Sequence, residues 1–261
     1  MAPAVARRLS ASTAWSGRVH SVFDRTVNAL GSDGRLLTLQ GPGLLSAPFA
    51  IALEGPPPGE IEPGASVERI GGRLDVGGIA VDWRRAQPID LSIGTGSDLA
   101  GLAAALHRVP PSLGAPALCS ARALEARRAV RDGIARDDAE RLAVGALALI
   151  GLGEGLTPAG DDCLVGILAV LRSARPHFLT RHPGLAGTIA GAAQVGTTIV
   201  AREFLRHALD GDFSEALVAL VRASSCVAAR DAAERLTRMG ATSGADTLTG
   251  TRLALDALRP R

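Results

Sequence analysis

Two adjacent aspartates stand in a glycine-rich turn, GLGEGLTPAGDDCLVGILAVL from Gly151 to Leu171, immediately before a long apolar run. Such a turn ahead of a helix often cradles an anion, because unpaired backbone N–H groups and the positive end of the helix dipole point into it. Asp161 and Asp162 would repel that anion unless a cation or an arginine intervened. Their chemistry is therefore that of helix caps, cation ligands or acid–base groups. The turn predicts Thr157 as N-cap with Pro158 at the first helical position. Successive helical positions point about 100° apart, so the two carboxylates cannot both serve one neighbour. The spacing excludes nucleotide loops. A dinucleotide fingerprint needs a third glycine where Leu156 stands, and a phosphate-binding P-loop needs Gly-Lys-Ser/Thr where Gly160-Asp161-Asp162 stands.

The turn has an echo. GATSGADTLTG, Gly240 to Gly250, repeats Gly-x-Asp-x-Leu-x-Gly, so that Gly160, Asp162, Leu164 and Gly166 correspond to Gly244, Asp246, Leu248 and Gly250. Hydroxyls lie just upstream in both copies: Thr157 in one, Thr242 and Ser243 in the other. The pattern points to a pseudo-symmetric pair of helix N-termini. If they converge, hydroxyls and N–H groups would hold an anion, while Asp162 and Asp246 would hold a cation or orient an amide N–H. The acid–base candidates are Asp161, Asp162 and Asp246. Ligand binding falls to Gly155, Thr157, Gly160, Thr198, Arg202, Thr242, Ser243 and Gly244, with Arg202 neutralising an anion from the face it shares with Thr198. Asp162 and Asp246 are also the candidate metal ligands. Cys163 reads as a small core residue, and His20 and Asn28 as polar residues on a strand.

The elements that must position these residues fall into two halves. From Gly17 to about Leu91 short alternating runs (RVHSVF, RLLTL, FAIAL, SVERI, RLDV, IAVDW) are separated by glycine- and proline-rich breaks, with turns expected at Asp33-Gly34, Gly71-Gly72 and Gly77-Gly78. This is a small, mostly antiparallel β-domain, a sandwich or a barrel, over 17–95, preceded by a frayed N-terminus over 1–16. After Ser97 apolar residues recur every three or four positions, which predicts a helical domain over 96–261. Its helices are expected near 97–109, 117–132, 137–150, 158–173, 187–209, 213–223, 226–239 and 244–258. The fold class is α+β.

Bulk properties narrow the partners. The 261 residues carry 28 Lys+Arg against 26 Asp+Glu, a net charge of +2, so no global field recruits nucleic acid or an anionic membrane. Aromatics are 3% and tyrosine is absent, which removes the stacking surfaces of single-strand binders. Three scattered cysteines read as reduced thiols of a cytoplasmic protein, and the five histidines never fall at zinc-ligand spacing. The first residues lack the apolar core of a secretory signal. No apolar run is long enough to span a bilayer.

Four segments together resemble one family: G-L-x-x-G-L-T-P-A-G-D-D-x-L-x-G from Gly151, T-S-G-x-D-x-L-x-G from Thr242, T-T-I-V-A-R-E-F-L-x-x-A from Thr197 and G-R-V-H-S-V-F-D-R-x-V-N-x-L from Gly17. They are similar to the AllH-type subunit of oxamate carbamoyltransferase, from about Gly17 to Leu258. The resemblance implies a three-component system in allantoin breakdown, with an acyl-CoA-synthetase-like FdrA subunit and a second companion. It also implies carbamoyl exchange between oxalurate and phosphate, giving oxamate and carbamoyl phosphate. Ala159 stands where the family motif commonly has serine. The chain has no S-x-R-T phosphate loop, and His182-Pro183 lacks the glutamine of ordinary transcarbamoylases.

Three readings follow. In the first the chain is a subunit of the transferase, whose helix N-termini bind a small anion or amide substrate. In the second it is a stand-alone hydrolase holding Mg²⁺ with Asp161, Asp162 and Asp246. In the third it is a scaffold whose aspartates are caps. In the first, helix ends, Arg202 and a cation such as Mg²⁺ could counter the charge of phosphate, and no cofactor is certain.

Overall fold

The computed structural model describes residues 1–11, 15–57, 59–110 and 114–259. The chain divides into two compact units between Leu91 and Ser92, at the start of the SIGTGS stretch. The architecture is mixed α+β, as the periodicities predict.

The first unit begins with α1, Pro3–Ala11. This stretch was expected to fray, but Val5 and Leu9 fall one helical turn apart and both are buried, so a short apolar stripe fixes it. Arg8 on the same helix donates to the Leu36 and Arg35 carbonyls and pairs with Asp33 at 2.8 Å. Residues 12–14 of the expected frayed segment lie outside the described residues.

Seven strands follow: β1 (Ser16–Phe23), β2 (Thr26–Gly31), β3 (Leu36–Gln40), β4 (Ala50–Ala52), β5 (Ser66–Ile70), β6 (Arg73–Val76) and β7 (Ile79–Asp82). They form one curled sheet in the order β4-β3-β2-β1-β5-β6-β7, antiparallel except for the β3–β4 pair. The strands are thus joined in a single hydrogen-bonded sheet and not divided between two stacked ones. The three expected turns close β2–β3, β5–β6 and β6–β7. Gly34, Gly71, Gly77 and Gly78 all take positive φ there, which side chains with a Cβ resist. The register skips at His20 between Val19 and Ser21, and beyond this bulge Ser21, Asn28 and Thr38 stand opposite one another across three strands. Asn28 donates to the Ser21 hydroxyl at 3.0 Å and accepts from Thr38 at 2.6 Å, so the polar groups of this row satisfy one another.

The second unit is helical: α2 (Leu99–His107), a 3₁₀ turn (Pro116–Cys119), α3 (Ala121–Arg136), α4 (Ala139–Leu149), α5 (Ala159–Ala174), α6 (Phe178–Arg181), α7 (Pro183–Gly196), α8 (Ile199–Asp210), α9 (Glu215–Val221), α10 (Cys226–Thr237) and α11 (Ser243–Ala257). The helix expected over 187–209 is two, α7 and α8. The break falls at Thr197, whose backbone is extended, and at Thr198, whose hydroxyl caps α8 by accepting from Ala201 N at 3.1 Å. Apolar periodicity runs through the break and hides it. No described helix is long and apolar enough to cross a membrane.

At the centre lies α5, buried from Ala159 to Leu171 and flanked by α4, α8, α9 and, along the greatest length, α11. A helix apolar on every face belongs in the middle of a core. Its first turn nevertheless carries two carboxylates.

Candidate functional site

Close packing of α5 on α11 comes from the glycines of the repeat. A Cβ on Gly166 would overlap the Thr247 carbonyl, and one on Gly250 would overlap the Cys163 carbonyl. The offset from Gly166 to Gly250 is also that from Cys163 to Thr247 and from Asp162 to Asp246, so the two contacts are reciprocal. The leading glycines do similar work against the preceding helices: Gly160 abuts the Leu149 carbonyl of α4 and Gly244 the Leu236 carbonyl of α10. Of the glycines expected to bind a ligand, Gly160 and Gly244 therefore let backbones approach. Gly155 lies in the exposed turn at φ +90°.

Helix α5 starts at Ala159 with Pro158 in the cap position, and no side chain caps it. Thr157 does not act as the N-cap. Its hydroxyl lies 2.6 Å from that of Ser243, at the start of α11, and this contact joins the two copies of the motif. Most of the first-turn amides have protein acceptors. Gly160 N donates to Leu152 O at 2.8 Å, and Asp161 N and Asp162 N to Pro158 O at 3.0 and 3.2 Å. In α11, Gly244 N donates to Met239 O at 3.0 Å and Asp246 N to Thr242 O at 2.9 Å. The anion cradle expected at these helix ends is thus largely filled by the chain itself.

The three aspartates differ in their partners. Asp161, 1% exposed, accepts from Gly151 N at 3.2 Å through both oxygens and from the Thr197 hydroxyl at 2.6 Å. It ties the turn after α4 to the α7–α8 junction. Burial pushes its pKa up to about 6 against the pull of those two donors.

Asp162, 7% exposed, is bonded by the hydroxyls of Ser243 and Thr157, while its Oδ2 has no partner among the described residues. Desolvation holds its pKa well above the usual carboxylate range, and the charges of Asp246 and Asp161 raise it further.

Asp246 is fully buried. Its Oδ1 accepts from Ala115 N at 2.8 Å, Thr242 bonds the carboxyl, and Oδ2 is unpartnered among the described residues. Its pKa is also raised, by burial first. Gly114 lies so close that a Cβ there would sit 2.6 Å from Oδ1. Cys163, next to Asp162 in the chain, feels the charges of both carboxylates; burial pushes its thiol up to about 12, so it stays neutral and inert.

The structure therefore brings together Asp162, Asp246, Thr157, Thr242 and Ser243, and sets Asp161 apart. Among the described residues no group of three or more His, Cys, Asp or Glu side chains converges to hold a metal. A cation site built on all three aspartates loses Asp161 to Gly151 and Thr197. Thr198 is occupied as a cap and as a donor to Leu156 O. Arg202 directs Nη1 at the Gln194 carbonyl, 3.4 Å away, and does not figure among the groups that shift either carboxyl. Sequence reasoning missed Ala115, which has no side-chain signal, and Thr197, which lay one residue from a threonine that was singled out.

A two-unit α+β protein with a pair of buried, incompletely bonded carboxylates at two joined helix starts is the class these features define. Models of one family match both units: the AllH family N-terminal domain over residues 1–88, and oxamate carbamoyltransferase subunit AllH over residues 149–255, which contain both helix starts. The chain belongs to the AllH family. As a subunit of oxamate carbamoyltransferase it implies companion subunits. No solved structure matches the chain.

Proposed function

We propose that this chain works in a carbamoyltransferase assembly that interconverts oxalurate and phosphate with oxamate and carbamoyl phosphate, and that the cluster around Asp162 and Asp246 holds the small substrate. An FdrA-like subunit and a second companion complete the assembly, in the cytoplasm and in a route of allantoin breakdown. The observation that carries the reading is the pair of buried, unpartnered carboxyl oxygens, Asp162 Oδ2 and Asp246 Oδ2, within the segment matched to the family. Buried polar atoms rarely go without a partner, and a water, an ion or a ligand supplies the one the chain does not.

The reaction needs no redox step. An oxygen of hydrogen phosphate adds to the carbamoyl carbon, the bond from that carbon to the oxamate nitrogen breaks, and the proton of the phosphate passes to that nitrogen. A buried carboxyl held well above the usual carboxylate range, such as Asp162, is suited to relaying a proton. The stand-alone hydrolase would need Asp161, which among the described residues is engaged by Gly151 and Thr197, so the subunit reading is preferred.

The test measures carbamoyl phosphate formed from oxalurate and phosphate by each subunit alone and by the complete mixture. Turnover is expected only in the mixture. Robust turnover by this chain alone would overturn the subunit role, and an inactive complete mixture would overturn the reaction.

A further inference from the structure

Resting on that reading, we infer that the Asp162–Asp246 site takes the uncharged carbamoyl end of the substrate, an N–H donor, and leaves phosphate to a companion subunit. The first ground is the count of donors. An oxyanion needs N–H groups or cations directed at it. Here the amides of Gly160, Asp161, Asp162, Gly244 and Asp246 donate to backbone carbonyls, and Ala115 N donates to Asp246 Oδ1. No arginine or lysine contributes to the environment of either carboxyl, where the charged neighbours of Asp162 are themselves carboxylates. The charge of Arg127 reaches the neighbouring Cys163 but neither carboxyl, so a phosphate entering here would first meet acidic groups.

The second ground is what is left over. Both atoms without a partner, Asp162 Oδ2 and Asp246 Oδ2, belong to side chains that are 7% and 0% exposed. The Thr157 and Ser243 hydroxyls touch each other and both bond Asp162, which makes three contacts among three oxygen-bearing groups. Two hydroxyls supply two protons, and the third contact calls for the proton of Asp162, whose burial favours the neutral form. That proton is used within the cluster, so Asp162 Oδ2 and Asp246 Oδ2 are both left as acceptors. A carbamoyl group, H₂N–C(=O)–, presents the matching set: two N–H donors on one nitrogen, one for each orphan oxygen. An amide bound this way satisfies both orphan atoms with no net charge brought into the core, whereas hydrogen phosphate has a single O–H and brings negative charge beside the carboxyls.

The experiment is calorimetric titration of the full chain alone with oxalurate, with oxalate (which keeps the carboxylate but has no carbamoyl group) and with inorganic phosphate. Oxalurate should bind at least about tenfold tighter than either of the others, because a site built for N–H groups rejects a ligand lacking them. Asp246→Asn, which replaces an acceptor with a donor, should weaken oxalurate by about tenfold or more. Circular dichroism establishes that this variant is folded. Phosphate or oxalate binding as tightly as oxalurate would overturn the assignment, as would no oxalurate binding or an unaffected Asp246→Asn. The ligand comparison on the unmodified chain stands even if the variant does not fold. An assembly that produces carbamoyl phosphate while this chain prefers phosphate would defeat the assignment and leave the subunit role intact. An inactive assembly whose chain still selects oxalurate would defeat the reaction instead.

Discussion

The starts of α5 and α11 share a sequence pattern and a packing geometry, yet they differ beside the shared aspartate. Where α5 has Asp161, α11 has Ala245, and both are buried. Asp161 binds Gly151 and Thr197 and so fastens two loops, a task with no counterpart at α11. Asp162 and Asp246, present in both copies, are the ones that keep an unpartnered oxygen. What the copies share therefore divides into packing (the glycines) and site (the paired aspartates). What they do not share is local structure. Adjacent residues of the same type can thus have unrelated roles, because the helix turns them toward different surroundings.

Breaking the shared packing should have the largest effect on stability. Gly166→Val and Gly250→Val each force a side chain into a carbonyl of the opposite helix and should cost about 3 kcal/mol or more, by the overpacking of a core that cannot yield. Urea unfolding measures both. Similar losses would support reciprocal packing, and a tolerated valine at either site would break the symmetry.

The unshared aspartate comes next. Asp161→Ala leaves Gly151 N and the Thr197 hydroxyl without their acceptor and should destabilise by about 2 kcal/mol. Asp161→Asn retains an acceptor and a donor, and should cost less. The pair of variants separates the loss of hydrogen bonds from the loss of charge.

Protonation gives a related test. Asp161 is raised from an ordinary 3.8 to about 6, so the folded state holds its proton more tightly than the unfolded chain. Its contribution is complete below about pH 4 and is lost as pH rises through about 6, a fall of at most about 3 kcal/mol. Asp162 and Asp246 shift in the same direction and add to the fall. Denaturation midpoints from pH 4 to 7 should therefore decline more steeply in the unmodified chain than in Asp161→Asn. Identical slopes would contradict the burial of that charge.

The smallest effect belongs to the bridge between the copies. Thr157→Ala and Ser243→Ala should each cost about 1 kcal/mol, and the double variant less than their sum, because the two hydroxyls bond each other. Strict additivity would remove that contact from the account.

Much of this was legible in the sequence where chemistry is local. Positive-φ glycines marked the hairpins at Gly34, Gly71 and Gly77-Gly78, and the repeated Gly-x-Asp-x-Leu-x-Gly marked two helix starts that do meet. Less legible was anything decided by partners distant along the chain. Thr157 reads as an N-cap from its neighbours, but Ser243 claims its hydroxyl. The α7–α8 break is hidden by continuous apolar spacing, and α1 by its arginines and serines. Donor counting was out of reach as well. Whether helix-start amides are free depends on carbonyls such as Leu152 and Met239, which any residue can supply. That is why an anion cradle was the natural expectation and a carboxyl pair is what the fold presents.

The central claim is that Asp162 acts on substrate while Asp161 holds the structure. It is tested most directly by measuring thermal unfolding of the Asp162→Asn chain, and carbamoyl phosphate formation after that same preparation is combined with its companion subunits. A cap-like change costs only about 1 kcal/mol, so the variant should unfold within a few degrees of the unmodified chain and yet fail to support turnover. Full turnover by a folded Asp162→Asn chain would contradict the claim and return Asp162 to a structural role.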